Sequence, residues 1–537
     1  MKCIGVRWAV VLAVGLCLGA CRDSSHSPGG PVMEPTPAPA PESPDGDTAN
    51  EGEPAGHTDG GTPPDGGAPA GGPPDGGATL PQAGDVQWAR VFGTGHKDFA
   101  QALAADPQGN AVIAGTYRGW GERLEMGGEP LPDHSVETEA DLPDLFVAKF
   151  SPSGAHLWSR GFGGSASTVG AGSLVVDGEG GIYVVGSYWG WPELGTGRLP
   201  YSGEDACFLM KLSASGETRW VRPFVGGLRC GDWRLATARG RLYLLAHMQA
   251  PVDFGGRVLS GGSRARAALV RYASDGTLEE ARTLGDENAF AVGQALAVDS
   301  QGSVLLALQL DGRLPLGDLL LEPATEASVL VKLGPDGGYR WHKVFSDATR
   351  PEGPEGVNPL LDVRVGAGDM VLVSGAFRRP FTFAGRTWAA VEPAAWFEAF
   401  VGLLGSDGEE RWVHVSRSEG FRAMAAARSL ATDEAGRFYV VGELNGAFSF
   451  CGHRISSGQD SPGTSTGPWN LFTAVLDAQG RCLWARDYTA YGQALSPARV
   501  ALAPGRGLFL AGFFYGELAE GPVNARWYDG FLFRLEP

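Results

Sequence analysis

The sequence predicts an all-β fold: a seven-bladed β-propeller of four-stranded antiparallel blades, closed by an N-terminal outer strand that pairs with the last blade. Three observations predict it. Glycine supplies 82 of the 537 residues and charged residues only 19%, which is typical of a turn-rich β protein and not of a helical bundle. A motif recurs along residues 85–537 with a period of about 65 residues, as in repeat folds. Short apolar runs separated by turn residues lie between its copies.

Each repeat is marked by a glycine, a tryptophan four residues later and a basic residue two beyond the tryptophan. One copy is degenerate, with Glu280 in place of the tryptophan between Gly276 and Arg282. Trp88 and Arg90 open the series, and we assign Gly84 to the segment before the repeats. The other copies are Gly154-Trp158-Arg160, Gly216-Trp220-Arg222, Gly337-Trp341-Lys343, Gly408-Trp412-His414 and Gly480-Trp484-Arg486.

Four strands, a to d, are predicted in each repeat, and the two chain ends share the last blade. The chain stops two residues after a c-type strand at 531–535, which has no d strand of its own. Residues 86–92 form a d-type strand with no blade before it. Because an unpaired strand edge invites association, we expect these two strands to pair and close the ring.

Several runs resemble SBBP-type seven-bladed β-propeller repeats, which occur in bacterial surface and secreted lipoproteins. The runs are Asp-Leu-Phe-Val-Ala-Lys-Phe (144–150), Ile-Tyr-Val-Val-Gly-Ser (182–187) and Val-Asp-Phe-Gly-Gly (252–256). The resemblance spans residues 85–537 and implies a propeller carried by an envelope lipoprotein. It implies no activity, because the matching residues occupy scaffold positions.

The N-terminus is typical of an exported lipoprotein. Residues 1–20 are predicted to be a signal peptide, because the apolar run from Trp8 to Leu18 is shorter than the ~20 residues that span a bilayer. Leu18-Gly19-Ala20-Cys21 resembles the lipobox, which implies a lipid on Cys21. We expect a protein anchored in the bacterial cell envelope at the outer membrane, facing the periplasm or the surface. The alternative is an ordinary secretory signal in which Cys21 is incidental.

Residues 21–84 are predicted to be a disordered tether between the lipidated cysteine and the propeller at 85–537. Positions 22–84 are rich in proline, glycine and acidic residues and contain no aromatic residue. Such a segment cannot bury enough apolar surface to offset the entropy of ordering it.

Composition and motifs exclude several function classes. The net charge of −18 makes nucleic-acid binding a poor hypothesis, because such binding needs cations to neutralise phosphates. The Asp-x-x-Gly turns each offer one carboxylate, whereas calcium needs six to eight oxygens. No hydrolase, metalloprotease or phosphate-loop motif occurs. We therefore expect no catalytic residue, metal or cofactor, and a monomer.

The recurring basic residue has two interpretations. A ring of such residues could bind a polyanion, or each stem could lie along a buried aromatic face between blades. We favour the structural interpretation, because a single binding site rarely needs so many equal copies.

We expect a binding site where the longer b–c and d–a connections emerge, since both belong to the same face of an up-and-down blade. Variable loops on a rigid scaffold commonly carry function. The first hypothesis is a binding module for a protein or a glycan. A propeller hydrolase or lyase is the alternative, and solvated loops or a purely architectural role also remain open. The candidate residues are His96, Asp98, Arg229, Asp232, Trp233, Asp286, Asn288, Arg350 and Tyr491.

The cysteines of the repeat region fit an oxidising compartment. Local pairing would join Cys207 to Cys230 and Cys451 to Cys482, whereas free thiols are the alternative.

The lipobox hypothesis predicts the behaviour of one variant. Cys21→Ala should abolish labelling by a fatty-acid probe in cells, because the acylated thiol is lost. Labelling and membrane fractionation that persist in this variant would contradict the assignment.

Overall fold

The computed structural model describes residues 82–119, 122–134, 142–225, 230–345, 359–390, 395–419, 423–457, 469–488, 490–503, 507–518 and 524–537. They are almost entirely β, with one 3-10 turn at Ala367–Asp369. Among them no helix has the length and apolar character needed to cross a membrane. The signal peptide, Cys21 and nearly all of the tether lie outside the described residues.

The strands of the first half of the chain are short and bounded by turns. They are β1 (Val86–Phe92), β2 (Phe99–Ala105), β3 (Ala111–Tyr117), β4 (Asp144–Phe150), β5 (His156–Phe162), β6 (Thr168–Val176), β7 (Ile182–Gly190), β8 (Ser202–Leu212), β9 (Thr218–Phe224), β10 (Arg234–Ala238), β11 (Arg241–Met248), β12 (Val252–Asp253), β13 (Val258–Leu259), β14 (Arg266–Ala273), β15 (Leu278–Leu284), β16 (Phe290–Val298), β17 (Val304–Asp311), β18 (Leu314–Leu316) and β19 (Leu319–Leu321).

The second half continues the same plan. Its strands are β20 (Ala327–Leu333), β21 (Tyr339–Phe345), β22 (Leu360–Val365), β23 (Val371–Phe377), β24 (Phe381–Phe383), β25 (Arg386–Trp388), β26 (Ala395–Leu404), β27 (Glu410–Val415), β28 (Arg417–Ser418), β29 (Ala423–Thr432), β30 (Phe438–Asn445), β31 (Ala447–Phe450), β32 (His453–Ser456), β33 (Asn470–Leu476), β34 (Cys482–Tyr488), β35 (Ala490–Ala503), β36 (Gly507–Leu518) and β37 (Asn524–Leu535).

The main strands form four-strand antiparallel groups, which we call units 1 to 7 in chain order. In unit 1 the b and c strands are wholly buried, whereas the d strand has exposed positions among buried ones, as an outermost strand should. In order from strand a to strand d, the units are β2-β3-β4-β5, β6-β7-β8-β9, β10-β11-β14-β15, β16-β17-β20-β21, β22-β23-β26-β27, β29-β30-β33-β34 and β35-β36-β37-β1.

The a strands contact one another in a closed cycle. The strands β2, β6, β10, β16, β22, β29 and β35 each touch the next, and β35 touches β2. A closed cycle of a strands with d strands outermost is the architecture of a β-propeller, so the all-β propeller class of the prediction is confirmed.

The prediction of seven separate blade sheets is met only in part. Among the described strands, hydrogen bonding joins the main strands into five four-stranded sheets and one eight-stranded sheet. The short strands form three two-stranded sheets and one three-stranded sheet. The eight-stranded sheet arises because the start of β26 pairs in parallel with the start of β29, where Phe397 lies opposite Met424. This short parallel contact joins units 5 and 6.

The two ends of the folded region share one sheet, as predicted. Strand β1 pairs antiparallel with β37, with Phe92 opposite Gly530 and Val86 opposite Leu535. Beyond the strand, the Gly84 amide donates to the Glu536 carbonyl at 2.9 Å and the Glu536 amide donates to the Asp85 carbonyl at 2.9 Å. The N-terminal segment therefore completes unit 7.

Each anchor tryptophan lies over the anchor glycine of the next unit. A Cβ atom on Gly154 would lie 2.8 Å from the Trp88 ring, and one on Gly216 would lie 2.8 Å from the Trp158 ring. These glycines have φ near +80°, a conformation that side chains disfavour. Gly84 has the same conformation and lies under Trp484, so its assignment to the tether is wrong. It is the anchor glycine of the first repeat.

The recurring basic residue also contacts the turn that contains the anchor glycine of the next unit. Arg90 donates to the Gly154 carbonyl at 2.8 Å, Arg222 donates to the Gly276 carbonyl at 2.8 Å and His414 donates to the Gly480 carbonyl. The indole of Trp88 donates to the Pro152 carbonyl at 3.0 Å in the same turn. These side chains hold neighbouring units together, which supports the structural interpretation over a polyanion-binding ring.

The degenerate copy leaves space at the junction of units 3 and 4. Glu280 replaces the tryptophan and forms an ion pair with Arg271 at 3.1 Å. A cavity of about 320 Å³, including its open side, lies there against Arg282 and Gly337. The Arg282 guanidinium donates to the Gly337 carbonyl at 3.0 Å, so the hydrogen bond of the basic residue is kept although the tryptophan is missing.

The tryptophan–glycine contact predicts a difference between two glycine variants. Gly240 has φ +71°, but a Cβ there meets open space, whereas Gly154 has φ +79° and faces the Trp88 ring. Gly240→Ala should lower the free energy of unfolding by about 1 kcal/mol, from backbone strain alone. Gly154→Ala should lower it by about 2–4 kcal/mol, because overpacking adds to that strain. Chemical denaturation measures both, and equal losses would contradict the interblade contact.

Candidate functional site

The long-loop face is built from the b–c and d–a connections, and much of it is ordered by small hairpins. The b–c connections of units 3 to 6 contain the hairpins β12–β13, β18–β19, β24–β25 and β31–β32. Buried phenylalanines such as Phe254, Phe383 and Phe450 pin them to the blades. The sequence analysis treated these connections as variable loops. The signal it missed is an apolar-x-apolar run followed by a turn, as in 252–259, 314–321 and 381–388.

Asp98 is fully buried and organises the first d–a connection. Its carboxylate accepts hydrogen bonds from the Thr94 amide at 2.7 Å, the Thr94 hydroxyl at 2.9 Å and the Arg118 amide at 3.0 Å. Burial raises the pKa of Asp98 to about 6, although the bonds from Thr94 and Arg118 act in the opposite direction. Asp98 therefore stabilises the loop and is not presented to a ligand.

Trp233 is also fully buried, so its predicted place on an open binding loop is wrong. Its ring packs 5.4 Å from that of Phe224, and its indole donates to the His247 carbonyl at 3.2 Å. The aromatic pair fills the core between units 2 and 3, which is where a large apolar side chain is most stable.

The remaining candidates are scattered over the face. Asp232 is exposed and lies 3.9 Å from Arg234. Asn288 is exposed, and its backbone amide donates to the Asp286 carboxylate at 2.9 Å within one turn. His96 is partly buried in the first d–a connection. Arg229, Arg350 and the side chain of Tyr491 lie outside the described residues.

The cysteine predictions have different outcomes. Cys207 and Cys230 form a disulfide with a Cα–Cα distance of 5.5 Å. Cys451 and Cys482 are thiols, so the second predicted bridge is not formed. They lie close together, and a hydrogen bond with Cys482, together with burial, raises the pKa of the Cys451 thiol.

Asp529 is a partly buried carboxylate beside the first d–a connection. Burial and the nearby charge of Asp98 raise its pKa to about 7. Within the described part of the chain no group donates a hydrogen bond to it, and its neighbour Tyr528 packs 5.8 Å from the Phe99 ring. Two carboxylates with raised pKa values thus lie at the junction of units 7 and 1, a feature that the sequence analysis did not connect.

An exposed aromatic pair lies on the long-loop face of unit 2. Trp191 follows β7 and Tyr201 precedes β8, so both belong to the b–c connection. Their side chains are 44% and 58% exposed, and their ring centroids lie 5.0 Å apart. They are the exposed aromatic residues among those described, the other large exposed apolar side chains being aliphatic. The sequence analysis did not name them because its candidates come from the d–a connections, whereas this pair lies in a b–c connection.

The described part of this face offers aromatic contact, hydrogen bonding and the ionisable pair His134 and Asp144, whose Nδ1 and Oδ2 atoms lie 2.9 Å apart. No group of three or more His, Cys, Asp or Glu side chains that could hold a metal occurs among the described residues. Of the carboxylates Asp98 and Asp529 at the junction of units 7 and 1, only Asp529 keeps some exposure. The fold and these features define a β-propeller with a candidate binding face.

Comparisons with known proteins do not indicate one particular function for this chain. No protein-family model and no curated protein matches the chain. A protein of unknown function from Dyadobacter fermentans is 14% identical, covering 73% of this chain and 99% of its own, with a TM-score of 0.35. The Hadza microbial sialidase Hz136 is 10% identical, covering 74% of each chain, with a TM-score of 0.33. Likenesses this distant carry no argument, and the fold rests on the chain's own sheets.

The raised pKa of Asp529 predicts a pH-dependent effect on stability. A carboxyl with a native pKa of about 7 keeps a proton that the unfolded chain, with a pKa of about 3.9, releases. Stability conferred by this group therefore falls as the pH rises from about 4 to about 7. Asp529→Asn, which removes the charge, should match the wild type in melting temperature near pH 4 and exceed it at pH 8.

A surface carboxylate provides the control for this measurement. Asp318 is exposed, and Asp318→Asn should leave the difference between pH 4 and pH 8 as in the wild type. An Asp529→Asn profile parallel to that of the wild type would contradict the buried-carboxylate interpretation.

Proposed function

We propose that this protein is an envelope-anchored lipoprotein whose propeller head is a binding module for a glycan or a protein. The observation that supports it best is the exposed Trp191–Tyr201 pair on the long-loop face. Large aromatic side chains are usually buried in a monomer, and exposed ones mark contact surfaces. Aromatic rings contact the apolar faces of sugars, and tyrosine and tryptophan are also enriched where proteins bind proteins.

The proposed cellular location rests on the N-terminal sequence. A lipid on Cys21 would hold the protein in the bacterial envelope, and the Pro/Gly-rich segment would hold the head away from the membrane surface. As a flexible coil, 63 residues reach roughly 45 Å from end to end, at ~5–6 Å × √n.

The proposed blade count is seven. The parallel contact between β26 and β29 involves only the strand starts, whereas each unit keeps its own four-strand antiparallel ladder. Units 5 and 6 would then act as two blades joined at one edge. A seven-bladed ring with an anchor motif in each unit is consistent with membership of the SBBP-type repeat proteins.

An enzyme remains the second candidate, supported by Asp98 and Asp529. Paired carboxylates with raised pKa values are typical of acid–base catalysis. Asp98, however, is fully buried and accepts three hydrogen bonds from the protein. Of this pair, only Asp529 could then act on a substrate, so we favour the binding module.

The binding proposal is tested with variants of the aromatic pair. Trp191→Ala and Tyr201→Ala should each weaken binding to a polysaccharide retained by the wild type on an array of bacterial envelope glycans. Truncating a central aromatic contact costs about 2 kcal/mol, or roughly thirtyfold in affinity.

Leu483→Ala is the matched control. Leu483 is 49% exposed and lies on the outer strand β34, so its truncation removes similar apolar surface elsewhere. Equal glycan binding by all three variants would contradict the proposed face. If the wild type retains no glycan, loss of a cross-linked protein partner in Trp191→Ala, but not in Leu483→Ala, would support the protein alternative.

A further inference from the structure

The centre of the ring contains a cavity lined by the a strands. Its volume is about 460 Å³, including its open mouth. One layer of its wall is apolar and comes from the same position of four units: Leu103, Leu174, Leu235 and Leu296. Such a wall lowers the local dielectric constant and strengthens any charge interaction beside it.

The residue just before this apolar position differs between units. It is small in four of them, namely Ala102, Ser173, Ala295 and Ser429, as a narrow centre requires. In the other three it is Arg234, Asp362 and Arg499. Arg364, two residues after Asp362, adds a third arginine to the cavity wall. A scaffold role would recur in every unit, so these charges serve something local.

Two of the arginines are fixed by the backbone of the following unit. Arg234 donates through Nε to the Gln294 carbonyl at 2.9 Å, and Arg364 donates through Nε to the Leu430 carbonyl at 3.0 Å. The Arg364 side chain is 38% exposed, so solvent and small solutes reach it. Guanidinium groups held in this way are already oriented before a ligand arrives.

Among the described residues of the cavity wall, arginines outnumber carboxylates. The wall contains Arg234, Arg364 and Arg499 and one carboxylate, Asp362, whose oxygens accept the Leu430 and Val363 amides at 2.9 Å and lie 3.2 Å from Arg364. Outside the wall, the exposed Asp232 lies 3.9 Å from Arg234. Nearby Arg428 does not change the balance, because it pairs with the buried Glu443. This surplus stands out in a chain with a net charge of −18.

The surplus of positive charge changes the pKa of one of the arginines. Burial, followed by repulsion from Arg234 and other arginines, lowers the pKa of Arg499 to about 10, and Asp362 opposes the change. Arg499 still carries its charge at neutral pH. Like charges gathered beside an apolar wall are stabilised by an anion placed between them.

We propose that the central cavity binds a small oxyanion, a carboxylate or phosphate group, between Arg234, Arg364 and Arg499. Arginine suits this role because its planar guanidinium donates paired hydrogen bonds to two oxygens of one group. The site is distinct from the aromatic pair on unit 2. The oxyanion comes either from a free inorganic ion or from a small organic acid such as a uronic acid.

The test is isothermal titration of the full chain, at low ionic strength and pH 7, with inorganic phosphate and separately with D-glucuronate. The wild type should bind at least one of them saturably. Binding of phosphate alone assigns the site to a free inorganic ion, and binding of glucuronate assigns it to an organic acid. Arg364→Gln and Arg499→Gln should each weaken binding by about tenfold or more, because each removes a charged hydrogen-bond donor.

Arg340→Gln is the charge-matched control. Arg340 is half exposed and pairs with Asp336 at 3.1 Å, outside the cavity wall. No saturable binding by the wild type, or equal affinities for all three variants, would overturn the proposal.

A second measurement uses only the wild type, so it tests the proposal even if the cavity variants do not fold. The anion that binds should protect Arg364 of the wild type from modification by phenylglyoxal, as mapped by mass spectrometry, and leave Arg340 reactive. Equal modification of Arg364 with and without anion would overturn the proposal as well.

Discussion

The contact between a tryptophan and the glycine of the next unit is the interaction on which the ring depends. The indole of Trp88 covers Gly154, donates to the Pro152 carbonyl and is accompanied by Arg90, which donates to the Gly154 carbonyl. Arg534 of the same unit also donates to the Pro152 carbonyl at 3.1 Å, so one turn receives apolar contact and three hydrogen bonds from the neighbouring unit. Only glycine fits, because its φ is positive and a Cβ would overlap the ring.

The same contact explains how the ring closes. Gly84 lies under Trp484, and the Tyr488 hydroxyl donates to its carbonyl at 2.8 Å. The segment that begins with this glycine supplies β1, the outer strand of unit 7. Closure therefore uses the ordinary interblade contact together with an ordinary antiparallel ladder, and it needs no special device.

Departures from the repeat are where individual properties arise. Glu280 removes an indole and leaves a cavity between units 3 and 4. Trp191 and Tyr201 add exposed rings to one b–c connection. Arg234, Arg364 and Arg499, together with Asp362, bring charge to a centre whose other lining residues are uncharged. A symmetric scaffold supplies rigidity, and single substitutions on it supply asymmetry, which is what a specific site requires.

The sequence by itself determined the propeller class and the pairing of the two chain ends, because these follow from local periodicity and from the strand left over at each end. It indicated the Cys207–Cys230 bridge, but the same spacing argument failed for Cys451 and Cys482. The tertiary structure decided what each loop residue does. Asp98 and Trp233 look like surface residues in the sequence, but both are fully buried, Asp98 against Thr94 and Trp233 against Phe224. Arg234 and Arg499 lie far apart in sequence and meet only because the a strands converge on one axis. Burial and convergence depend on closing the ring, and no local pattern encodes them.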